Sequence, residues 1–288
     1  MKAELYIKSN CINAEGPVWD EETGTIYFID VEAGKIFSYK DEVSSIDVGE
    51  KIGTMALCKN SENYIVALQS GIYILNPRTG EKKKLADPEA DIPMNRFNDG
   101  KADPDGRFLA GTLSMDQDEN PGARAALYQI SKDSEIKTLI PNVMLANGLT
   151  WSTDGKDFYF IDTARHIISH YDYDSETGNI SNGKVVITVP DEMGVPDGMT
   201  IDEDGNLWVA LWGGCAVSKW NPKTGKLLDK IEVDALNVSS CCFGGKKMDE
   251  LFITSASQDT DMSKYPLAGN VFRVKPGAKG SLTYKYDD

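Results

Sequence analysis

The stretch VPDGMTIDEDGNLWVALW, residues 195–212, holds two Asp-Gly pairs and two short apolar runs. Asp204-Gly205 separates the runs, where a tight turn between antiparallel strands belongs. Asp197-Gly198 precedes the first run, where nothing has to turn. The run after the turn has counterparts along the whole chain: TIYFIDV from Thr25, YIVALQ from Tyr64, RFLAGT from Arg107, DFYFIDT from Asp157 and LFITSA from Leu251. Each follows a polar turn such as DEETG, DPDG or STDG, and each leads into a further strand pair such as IFSYK. Long amphipathic helical patterns are missing.

The spacing averages about 45 residues, and a strand-rich period of that size marks a β-propeller. Six units fill the chain, which predicts an all-β, six-bladed β-propeller with four antiparallel strands per blade. AELYIKS, residues 3–9, stands outside the count. It is expected to close the ring as the outer strand of the last blade. Residues 1–288 then form a single domain.

The first strand of a propeller blade lines the central channel. Aligning the units on Trp19, Leu57, Asp103, Trp151, Ile201 and Phe243 puts Glu15, Gly53, Asp99, Asn147, Asp197 and Ser239 in register, four places earlier. Asp197 thus belongs to a repeated position at the channel entry. A lone Asp-Gly or Asn-Gly is more often a turn. A set in register about one axis gathers carboxylates that repel each other unless a cation neutralises them. Glu, Asp and Asn oxygens suit a hard ion such as Ca²⁺ or Mg²⁺.

The formal charge of −15, from 30 basic and 45 acidic residues, argues against nucleic acid or an anionic membrane as partner. The N-terminal stretch has no apolar core of signal-peptide length, and no run of about 18 apolar residues occurs. The five cysteines are odd in number, two are adjacent, and no CxxC pair is present. That pattern predicts reduced thiols and a cytoplasmic protein. HIISH, with His166 and His170, has helical zinc-pair spacing but reads as strand, and no Glu follows the first His. No G-x-S-x-G elbow or glycine-rich phosphate loop occurs. The DPDG and DEDG turns lack a calcium-loop glutamate, since Ser114 and Gly213 stand where it is needed.

AEGPVWD, NRFNDGKADPDGRFLAGT, LANGLTWSTDG, PDGMTIDEDGNLWVALW and CFGGKKMDELFITSA follow one another along the chain. Together they resemble the gluconolactonase / regucalcin (senescence marker protein) family, which includes the luciferin-regenerating enzymes of beetles. The resemblance implies a six-bladed propeller with one divalent cation at the channel mouth, Ca²⁺ first, with Zn²⁺, Mg²⁺ and Mn²⁺ also admissible. It implies Glu15, Asn147 and Asp197 as metal ligands and Arg96, Asn98 and Asp116 as substrate contacts. Asp99 lies close to the metal, and Asp197 or Asp99 is the expected general base. Many relatives carry Glu where this chain has Asp116, and Gly where it has Ala14. Residues 116–125, polar and containing Pro and Gly, read either as a lid over the channel mouth or as a disordered surface loop. The implied activity is hydrolysis of a lactone, a sugar lactone first. The alternatives are a calcium-binding or regulatory propeller without catalysis, or the same site acting on a non-sugar lactone, ester or nitrile. A closed propeller has no free edge to cover, so a monomer or weak homodimer is expected.

Overall fold

The computed structural model describes residues 1–116, 122 and 124–288. Strand β1 (Glu4–Ile7) comes first in the chain. Blade 1 comprises β2 (Ala14–Asp20), β3 (Thr25–Asp30), β4 (Lys35–Tyr39) and β5 (Val43–Asp47). Blade 2 comprises β6 (Ile52–Leu57), β7 (Tyr64–Leu68), β8 (Gly71–Leu75) and β9 (Lys82–Ala86). Blade 3 comprises β10 (Asn95–Ala102), β11 (Phe108–Ser114), β12 (Ala125–Ile130) and β13 (Ile136–Val143). Blade 4 comprises β14 (Ala146–Trp151), β15 (Asp157–Asp162), β16 (Ile167–Asp174) and β17 (Asn179–Thr188). Blade 5 comprises β18 (Val195–Ile201), β19 (Leu207–Trp212), β20 (Ala216–Asn221) and β21 (Lys226–Glu232). Blade 6 comprises β22 (Asn237–Gly244), β23 (Glu250–Ala256), β24 (Val271–Val274) and the returning β1. The six four-stranded antiparallel sheets are those the repeat predicts.

Closure follows from the sequence of β1. Leu5 pairs with Phe272 and Ile7 with Val271. Ile7 is buried between blades 6 and 1, and the Arg273 guanidinium lies 4.2 Å from the centre of the Tyr6 ring. Elsewhere the blades join through apolar side chains pointing off both sheet faces. Trp208 of blade 5 meets Val238, Cys241 and Phe243 of blade 6, with the Trp208 and Phe243 rings edge-on at 5.7 Å. Each such buried side chain stabilises the fold by about 1.5–3 kcal/mol.

The polar turns at the lower end of the channel are anchored by buried aspartates. Asp202 accepts from the Asn206 backbone N–H and Trp208 Nε1, and its other neighbour, Lys219 Nζ, lies 2.9 Å away. Gly205 sits at φ +80° with open space around it, as a turn residue should. After β24 the chain crosses under the ring: Gly280 bridges Asp202 and Tyr286 bridges Cys58. Residues Ser281, Leu282, Thr283 and Tyr284 border the same cavity, of about 60 Å³, as the lower halves of all six innermost strands. The tail is therefore the floor of the channel. Among the described residues no helix is long and apolar enough to cross a membrane.

Candidate metal centre

Every innermost strand carries a register shift at the same height. The shifts lie between Glu15 and Val18, Ile52 and Thr54, Phe97 and Gly100, Ala146 and Leu149, Pro196 and Met199, and Val238 and Ser240. A bulge bends its strand and re-aims the side chains beside it. All six aligned positions fall at these shifts. They lie inside the innermost strands, where the bulge keeps the chain in the ladder while turning those residues to the axis.

The glycine after Asp197 is not a turn residue either. Gly198 does not have a positive φ, and a Cβ there would sit 2.0 Å from Ser240 Oγ and 2.8 Å from Ser240 Cα in the next blade. It is glycine because neighbouring innermost strands approach this closely. In blade 2 crowding takes the position itself, since a Cβ on Gly53 would lie 2.4 Å from the Phe97 carbonyl carbon. In blade 6 Ser239 Oγ donates to the Ala14 carbonyl at 2.5 Å, joining blades 6 and 1. Ala14, where the family motif opens with Gly, has no positive φ, so its methyl is accommodated without strain.

Glu15, Asp99, Asn147 and Asp197 remain, all buried. Glu15 Oε2 accepts the Gly16 N–H and Asp99 Oδ1 the Gly100 N–H, each at 2.7 Å. The Asn147 side chain lies beside Asp197 and favours its charged form. Among the described residues, Asp99 Oδ2 and Asn147 Oδ1 are buried with no hydrogen-bond partner. A buried acceptor left unpaired costs about 1–3 kcal/mol. Burial pushes the Glu15 carboxyl well above the usual carboxylate range, and Asp197 and Asp99 push it further. Burial and the Asp99 charge do the same to Asp197. Asp99 is raised by burial, against the pull of Lys101 and the Gly100 N–H. An all-oxygen donor set with unpaired acceptors and mutually repelling carboxylates fits a hard divalent cation.

Two cations border this group. Arg96 Nη1 donates to the Phe97 carbonyl at 2.8 Å and to Asn98 Oδ1 at 2.9 Å, while Asn98 Nδ2 donates to the Ala146 carbonyl of blade 4. Burial lowers the Arg96 pKa, opposed by Glu32, Glu15 and Asp197, whose charges it faces. Lys101 Nζ donates to the Met199 carbonyl at 2.6 Å and lines the cavity below the carboxylates. The motif reading missed Lys101. Its place two residues beyond Asp99, on the same channel-lining strand, was the available signal.

Asp116 sits at the end of blade 3, where its Oδ1 accepts from Ser114 Oγ and Arg124 Nη2, each at 2.6 Å. The lid or loop expected at residues 116–125 falls largely outside the described residues. The two histidines do not act as a pair. His166 follows a short 3-10 helix in the left-handed region and meets Asp191, while His170 lies on β16 beside Asp157. The expectation that both lie on a strand therefore holds for His170 alone.

Residues 13–257 match the family model described as the SMP-30/Gluconolactonase/LRE-like region. The chain belongs to that family. Human regucalcin is 35% identical over 297 residues, spanning 99% of this chain and 98% of its own. Regucalcin of Danio rerio is 36% identical over 292 residues with the same coverage. A solved luciferin-regenerating enzyme superposes with a TM-score of 0.90 at 33% identity, covering 99% of this family member and 100% of that chain. A regucalcin from Agrobacterium tumefaciens, described as calcium-binding, gives a TM-score of 0.92 at 22% identity over 100% of this chain and 99% of that one, a likeness of fold.

Proposed function

We propose that this family member is a metal-dependent lactonase that hydrolyses a small lactone, a sugar lactone first, at the upper mouth of the channel. The observation that carries this reading is the pairing of buried oxygen donors with Arg96, whose Nε and Nη2 make no hydrogen bond among the described residues. A calcium store needs the donors alone. A substrate site also needs a group to orient the bound molecule.

Glu15, Asn147 and Asp197 would hold one divalent cation, Ca²⁺ by the hardness of their oxygens. When bound, such an ion supplies Lewis acidity towards a carbonyl and lowers the pKa of water. Asp99 and Asp197 are the groups able to take the proton of an attacking water, and Asp99 Oδ2 has no hydrogen-bond partner among the described residues. Arg96 orients the lactone by donating to its oxygens. Asn98, whose amide is engaged on both sides, holds Arg96 in place. Asp116 reaches the substrate hydroxyls from the blade 3 rim. No histidine is required.

A regulatory calcium-binding reading draws on the regucalcin relatives. A pH-stat assay over a panel of sugar and apolar lactones, esters and a nitrile separates the two. The lactonase reading expects acid release that stops with EDTA and returns with Ca²⁺, Mg²⁺, Mn²⁺ or Zn²⁺. Absence of metal-dependent release across the panel overturns it. We also place the protein in the cytoplasm, as a monomer or weak homodimer without nucleic-acid or membrane partners. Its five unpaired cysteines, four of them buried, and its acidic surface support this.

A further inference from the structure

Blade 4 carries a second group of ligating side chains, none of them in the channel set. In the β15–β16 ladder Asp157 faces Asp172 and Tyr159 faces His170. Facing residues, and residues two apart, share one side of a sheet. The donor atoms of Asp157, His170 and Asp172 accordingly lie within 4.8 Å of one another. His170 Nε2 is 2.5 Å from Asp157 Oδ1. The ring is only 12% exposed and is held by Tyr159, 5.3 Å between ring centres. Asn182 Nδ2 donates to Asp172 Oδ2 at 2.6 Å, which orients that carboxylate.

The His170–Asp157 contact and the Asn182–Asp172 hydrogen bond engage the two carboxylates separately. Like charges directly opposite in an antiparallel ladder are destabilising, and Asp157 and Asp172 are so placed. A cation between them removes that cost. Beside Asp157 and His170 opens a cleft of about 460 Å³, bounded by these two and Tyr159 on blade 4 and by the Pro222–Gly225 turn of blade 5. It leaves room for the waters that complete a coordination shell.

We propose that Asp157, His170 and Asp172 form a second metal site, for a transition-metal ion of the Zn²⁺, Co²⁺ or Ni²⁺ kind. Imidazole with two carboxylates suits these ions, whereas Ca²⁺ prefers oxygen alone. Tetrahedral Zn²⁺ with bonds near 2.1 Å holds its ligand atoms about 3.4 Å apart. For an ion to enter, side-chain rotation would have to open the 2.5 Å His170–Asp157 contact to that separation. Lys184 and Lys223 also line the cleft. Both are exposed, so solvent screens their repulsion, and they moderate affinity without closing the site. The site is independent of the channel reading.

The test is calorimetric titration with Zn²⁺ of the full chain saturated with Ca²⁺, and of the Asp197→Ala variant, paired with Co²⁺ absorption spectra. One Zn²⁺ equivalent is expected in both proteins, together with the visible bands of tetrahedral or five-coordinate Co²⁺. His170→Ala should abolish this binding. Asp172→Asn, at an exposed position where folding is not at risk, should weaken it at least tenfold. Failure of the Asp197→Ala protein to bind Zn²⁺, or Zn²⁺ binding unchanged by His170→Ala and Asp172→Asn in folded protein, overturns the proposal.

Discussion

Asn147 sets its side-chain amide beside Asp197 and leaves its Oδ1 buried without a hydrogen-bond partner among the described residues. Neighbouring blades thus present one prepared acceptor and one carboxylate to the same axis. Substituting Asp197 by Ala should abolish Ca²⁺ binding, read by calorimetry, and lower lactone hydrolysis by a factor of about 100 or more. The circular dichroism of the propeller should be retained, because no strand depends on that carboxylate.

The raised carboxyls predict the pH response of the metal-free protein. Glu15 and Asp197 bind protons more tightly folded than unfolded, because burial and mutual repulsion disfavour their charged forms. Folded protein then holds more protons than unfolded protein above about pH 4, so stability falls as pH rises. In EDTA the melting temperature should drop from pH 5 towards pH 8. Saturating Ca²⁺ should flatten or reverse that slope, since the cation favours the ionised carboxylates. An identical slope with and without Ca²⁺ contradicts this.

Lys101 is the counter-charge within the channel wall, lowering the carboxyls of Glu15 and Asp99. Lys101→Met should therefore destabilise the metal-free protein more than the Ca²⁺-loaded one. Each kcal/mol corresponds to about 2–4 °C in a domain of this size class. The expected result is a larger Ca²⁺-induced rise in melting temperature for the variant than for the parent. Equal losses in both states would show that Lys101 serves packing alone.

The two Asp-Gly pairs make a matched experiment. Gly198→Ala puts a methyl against the Ser240 backbone, 2.8 Å from its Cα, and should cost several kcal/mol in the manner of an overpacked core. It should also weaken Ca²⁺ binding by displacing Asp197. Gly205→Ala meets open space and pays only for its φ of +80°, about 1 kcal/mol. Its Ca²⁺ affinity should equal that of the parent.

The blades were legible in the sequence because each repeats one local pattern, and the ring positions because register is a matter of counting. What was hidden depends on contacts between distant segments. Gly198 resembles a turn residue until Ser240 of the next blade is seen beside it. Asn98 reads as a substrate contact, yet its amide reaches the Ala146 carbonyl 48 residues away. The channel floor belongs to no repeat, and Tyr286 finds Cys58 across the whole ring. Asp157 and Asp172 look like ordinary surface acids until the ladder sets them face to face.

Ser281–Tyr284 lie across the lower end of the channel, so a molecule held beside Glu15 and Asp197 would come and go at the opposite end. A departing molecule would then pass where the next one enters. For a hydrolase, the product acid and the incoming ring then exclude one another, and inhibition by product has to be competitive against substrate.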